Sequence, residues 1–189
     1  MISTGLFTQS DIHTITRAAA LAETLTLGFF HLPADVWRSE PYTLFTRRNV
    51  SKNLLEQGTF AQVIRYAPGQ DRTEKRDRRE RYGVVLQDPN ILMALLRSCG
   101  HDLWTLMLFV LTHELVHIVR FTRQNVDFFA SVADRDKEEK LVHRMTREIL
   151  AGVSNTDSLI TLYEKPYGLA RPNSLYQPIS TGGFFDAHL

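Results

Sequence analysis

A single cysteine, Cys99, stands in a chain of 189 residues. No intrachain disulfide framework is possible, and the usage fits a reducing compartment. The thiol reads as a small buried apolar side chain rather than a nucleophile. An excess of charge of one sign is also lacking. Lys and Arg total 22 against 21 Asp and Glu, so the net charge gives no reason to expect nucleic acid or an anionic membrane surface as a partner. Long apolar runs are missing too: the best one, residues 103–111, is about half of what a membrane span needs. Glu23 interrupts the only early apolar stretch, residues 18–27, so an export signal is not expected and a cytoplasmic location is. Repeats and low-complexity tracts are absent. With 43% hydrophobic and 23% charged residues, the composition is that of an ordinary soluble domain long enough to bury a sizeable core.

What is present is His113-Glu114-Leu115-Val116-His117, at the end of the most apolar run of the chain. Two histidines four apart on a helix lie on nearly the same face, one turn up, so both imidazoles can reach one ion. A glutamate directly after the first histidine stands beside the ion's open position, where it can take a proton from bound water. The lead-in from Leu103 to Leu111 supplies a buried helix. Trp104, Leu108, Leu111, Leu115 and Ile118 form one apolar stripe, and His113 and His117 lie on another with Leu106 and Val110. Without its context, the same pattern would read as two core histidines beside a chance glutamate.

The remaining elements follow from periodicity and punctuation. Residues 10–30 read as an amphipathic helix starting at Ser10-Asp11, with Pro33 beyond its end. Strands are expected over 41–46, 59–66 and 82–87, the second closed by Pro68-Gly69 and the third by Asp88-Pro89-Asn90. A short helix over 91–97 and the buried helix over 102–120 come next, then a connector, 125–133, and a third main helix over 134–152. Residues 71–81 interleave both charges without aromatics, which favours a solvated loop over a nucleic-acid patch. The expected organisation is one domain, residues 1–152, followed by an irregular tail, 153–189, packed on or near it.

Two histidines leave a catalytic zinc site one protein ligand short. The helix after the motif is the place to look. Glu139 can be brought back through the connector and is the leading candidate. Glu138 aligns better with the Leu141, Val142 and Met145 stripe, and His143 lies one turn beyond Glu139 on nearly the same face. Helical facing leaves Glu139, Glu138 and His143 open, with Asp127 and Asp134 as outside candidates.

An H-E-x-x-H helix followed by a helix carrying Glu139-Lys140-Leu141-Val142-His143 resembles the compact gluzincin-type zinc metallopeptidases over about residues 82–152. The metzincin branch does not fit, because Arg120 and Arg123 stand where its pattern has a glycine and a histidine. In gluzincins an aspartate often follows the ligand glutamate at the fourth position, and here His143 stands there. The resemblance implies an α+β, zincin-like fold, with a small mixed or antiparallel sheet on the active-site helix and a second ligand-bearing helix. It also implies Zn2+ on His113, His117 and Glu139, with Glu114 as general base. His143, or a tail tyrosine (Tyr163, Tyr167 or Tyr176), would assist as a further catalytic donor. An extended peptide or protein substrate would pair with the edge of the 82–87 strand. The expected activity is peptide-bond hydrolysis. The alternative is a metal-binding regulator of the same fold that recognises one dedicated protein partner and rarely or never cuts it. The terminal His188 and carboxylate read as a surface end rather than as ligands.

Overall fold

The computed structural model describes residues 5–50, 58–66, 81–97, 101–153 and 156. These form an α+β arrangement of five helices and a three-stranded mixed sheet. Helix α1 (Gln9–Phe29) is capped by Thr8 rather than starting at Ser10. The Thr8 hydroxyl accepts from the Asp11 amide at 3.2 Å and the Asp11 carboxylate accepts from the Thr8 amide at 2.8 Å. This reciprocal pair satisfies two of the amides that a helix start leaves open. Ala18, Ala19 and Ala22 are buried on its inner face, which lets α1 pack closely on the central helix.

After the short α2 (Val36–Ser39) come β1 (Thr43–Thr46) and a single 3-10 turn, Arg47–Asn49. Next are β2 (Ala61–Tyr66) and β3 (Arg81–Leu86). The strand order is β1-β3-β2, with β1 parallel and β2 antiparallel to β3. This corrects one expectation. The 82–87 strand is central, not an edge, and both its sides are taken by neighbours, so it cannot pair with a substrate peptide. Its sequence explains the position, because Val84, Val85 and Leu86 are consecutive apolar residues and all are buried, as in a strand covered on both faces. Gly83 is required where β3 passes Phe45: a Cβ there would lie 2.7 Å from the ring carbon Cε2.

Helix α3 (Asp88–Arg97) starts one turn earlier than expected. Asp88 is buried at its start, and its carboxylate accepts from the amides of Phe7 at 3.1 Å and Arg47 at 3.1 Å. One side chain thereby ties the N-terminal segment and the turn after β1 to the end of β3. Helix α4 (Leu103–Arg123) is capped by Asp102, whose Oδ1 accepts from the Thr105 amide at 2.8 Å. Every residue from Thr105 to Phe121 is buried. α4 is long and apolar enough to cross a membrane by length and composition, yet 89% of that window is buried inside the fold. It packs against α1, β2 and α5 (Val132–Leu150), which is capped by Ser131. Asn125 reverses the chain between α4 and α5 at φ 53°, a left-handed conformation that asparagine tolerates.

Most of residues 71–81 and of the tail 153–189 lie outside the described residues, as do Cys99 and the tail tyrosines. Of the tail, Val153 and Thr156 are described, and the Thr156 hydroxyl donates to the Val153 carbonyl at 2.8 Å.

Candidate metal centre

The burial of α4 on all sides fixes His113 and His117 within the core, each at 0% exposure. Their i, i+4 spacing brings the two Nε2 atoms to 3.2 Å. α5 folds back beside them and delivers Glu139, with Oε1 3.2 Å from His117 Nε2 and Oε2 3.4 Å from His113 Nε2. Ligands about 2.0–2.1 Å from a tetrahedral ion are roughly 3.3 Å apart. The three contacts here, which use both oxygens of Glu139, are of that length. His113, Glu139 and His143 also offer ligand atoms within 4.8 Å of one another, and the His143 ring centroid is 4.7 Å from that of His113. The structure therefore gathers His117 and His143 about the same pair, His113 and Glu139.

Glu138 does not join them. Arg120 Nε and Nη2 donate to its two carboxylate oxygens, the latter at 2.7 Å, and both side chains are mostly buried. Asp127 Oδ1 accepts from the Phe129 amide at 2.8 Å. Asp134 is held at the N-terminus of α5 by Ser131 and Lys137, which pull its pKa below the usual carboxylate range. Neither aspartate belongs to the cluster.

The electrostatics divide the cluster. Burial disfavours charge on His113 and lowers its pKa, although Glu139 opposes this. For His117 burial pulls the same way but is outweighed by Glu139, with help from Glu114 and Glu138, and its pKa rises. Burial alone would raise Glu139, but the two histidines beside it hold its carboxyl well below the ordinary value. His143 is kept neutral, its pKa brought down to about 3 by burial first and then by the charge of His113.

Glu114 is fully buried, and among the described residues neither of its oxygens has a hydrogen-bond partner. Burial pushes its pKa up to about 8. An orphaned carboxyl in a core is costly, so its presence asks for a use beyond packing. His113 Nδ1 is likewise buried without a partner. The orphaned Glu114 stands beside a donor set of two imidazoles and a carboxylate that would hold a divalent cation, whereas His113 Nδ1, across the ring from the Nε2 that faces Glu139, is not accounted for by such an ion.

Two neighbours were not legible in the motif. Phe121 stacks on the ring of His117, centroids 5.8 Å apart and planes within 14°, and so fixes its plane. Arg120 organises the end of α4. The signal for both lay in the i+3 and i+4 positions after His117, which are on or next to the ligand face. No family model, no curated protein and no solved structure matches this chain.

Proposed function

We propose that this protein is a zinc-dependent metallopeptidase of the zincin kind, with His113, His117 and Glu139 as ligands. The observation that carries the reading is the convergence of His113 Nε2, His117 Nε2 and the two oxygens of Glu139, in contacts of 3.2, 3.2 and 3.4 Å, next to a buried glutamate without a hydrogen-bond partner among the described residues. Bound zinc would supply a Lewis acid that acidifies a coordinated water and polarises a scissile carbonyl. Glu114 is the proton carrier. The burial that raises the pKa of Glu114 in the metal-free protein makes it a stronger proton acceptor, able to take a proton at Oε and return it to a departing amine. His143 is neutral beside the ligands, so one ring N–H is available to donate to negative charge developing on the substrate oxygen. Phe121 holds His117 in place.

A second reading is favoured by the proximity of His143. A fourth protein donor on the ion would close the site, and closed zinc sites are structural rather than hydrolytic. The protein would then be a metal-binding regulator recognising one dedicated partner.

The test is metal analysis of the purified protein with hydrolysis of unfolded casein. The peptidase reading expects one zinc per chain and cleavage, with Glu114→Gln keeping the zinc and losing the cleavage. Zinc without cleavage of casein supports the regulator, and retained turnover in Glu114→Gln removes the glutamate from the mechanism.

A further inference from the structure

We propose that Arg120 and Glu138 are positioning residues that set the rotation of α5, so that Glu139 and not its neighbour meets the two histidines. The proposal rests on the metal-centre reading above. α5 presents two acids in succession, and consecutive helical side chains point about 100° apart. A modest turn of the helix would exchange them. Glu138 is on the side that faces the core, in line with the buried Val142 and Thr146, and Glu139 is nearer the rim.

Arg120 withholds Glu138 from the ion. Its Nε and Nη2 donate to separate oxygens of that carboxylate, and Nη1 donates to Gln124 Oε1 at 2.5 Å. The two side chains are each about 10% exposed. A planar guanidinium bound at both ends of its fork has one orientation, so the contact fixes angle as well as distance. On α4 this clamp lies three residues after His117, and on α5 one residue before Glu139. It therefore locks both helices beside the proposed ligands. A buried ion pair contributes little net stability compared with well-packed apolar residues of similar size. Holding a neighbouring ligand in phase is a use that an apolar pair would not serve equally well.

That difference is testable. In Arg120→Met/Glu138→Leu the pair is replaced by apolar side chains, and in Glu138→Gln the shape is kept while the charge-assisted fork is lost. Affinity for cobalt(II) is measured by competition with a chromophoric chelator, together with the visible cobalt spectrum. Urea unfolding in EDTA reports the metal-free fold.

The expected result is cobalt bound roughly 10- to 100-fold more weakly in both variants, the scale of losing an outer support of a ligand. The spectrum should be altered, and the urea midpoint of the double variant should be no lower than wild type. If the double variant fails to fold, Glu138→Gln carries the affinity measurement. A folded variant whose cobalt affinity stays within about twofold of wild type overturns the positioning role while leaving the metal centre intact. An affinity loss in both variants matched by an equal loss of metal-free stability also overturns it, because the pair would then be structural. A wild-type protein that gives no cobalt spectrum overturns the metal centre and this proposal with it.

Discussion

Glu139 Oε1 lies 3.2 Å from His117 Nε2, joining two helices at residues 22 positions apart in the chain. In the absence of a cation the carboxylate of Glu139 favours the charged form of His117 and raises its pKa, while the histidines hold Glu139 below the ordinary carboxyl value. The same atoms are the donors proposed for zinc. Glu139→Ala should therefore weaken zinc binding by more than the roughly 10- to 100-fold typical of an outer support. Glu138→Ala should act only through α5. Chelator competition on the two variants makes the comparison, and equal losses would remove Glu139 from the ligand set.

The two histidines and Glu114 were legible because an i, i+4 pair needs only a helix, and the apolar run announced one. The choice between Glu138 and Glu139 was not. Periodicity placed Glu138 with Leu141, Val142 and Met145, and Glu138 is indeed the more buried of the two. What periodicity does not carry is the partner: Arg120, 18 residues earlier on another helix, takes that carboxylate. Strand order was missed for a related reason. Tyr82 to Gln87 read as a strand, but its neighbours are set by β1 and β2, which are distant in sequence. The run Val84-Val85-Leu86 did carry a sign of two-sided burial.

Gly83 provides a test of the sheet. An added Cβ would come within 2.7 Å of Phe45 Cε2 and 3.1 Å of Ile64 Cγ1. Phe45 cannot easily retreat, being 6% exposed and packed edge-to-face on Tyr66 at 5.5 Å. Overpacking of this kind costs about 1–3 kcal/mol. Gly83→Ala should lower the urea midpoint accordingly, without changing zinc affinity of the folded protein, since the ligands proposed are on α4 and α5. An unchanged midpoint would mean that β3 does not pass Phe45 this closely.

The pH dependence of the metal-free protein should bear the mark of Glu114. Its folded pKa, about 8, lies above the ordinary 4.5. Between those values the native state binds more protons than the unfolded chain, so this group makes stability fall as pH rises from about 4.5 through 8. The slope is at most about 1.4 kcal/mol per pH unit. Glu114→Gln does not titrate, and its buried amide adds an offset that is the same at every pH. Urea unfolding in EDTA between pH 5 and pH 8 should therefore fall less steeply for the variant than for wild type (about that range, set by the two pKa values). Parallel curves would show that the glutamate is solvated.

His143 decides between an open site and a closed one. Its ring is 4.7 Å from that of His113 and tilted by 50°, and its nitrogen belongs to a group of ligand atoms within 4.8 Å of one another. Contacts of 3.2 to 3.4 Å join His113, His117 and Glu139, and among the described residues His143 makes no hydrogen bond or ion pair with any of the three, so it is the outlying member. A tetrahedral ion centred on the tighter three would keep its fourth position for water or substrate, with the neutral imidazole alongside. His143→Ala should accordingly retain one zinc per chain at near wild-type affinity. Turnover of casein should fall roughly 10²- to 10³-fold in kcat with KM little changed, the scale of losing one donor to a developing oxyanion. If zinc affinity falls instead, and the cobalt spectrum passes from that of a site with four protein donors to that of a solvated one, the imidazole is a ligand. The ion would then be structural in the resting protein, and the regulator reading would displace the peptidase.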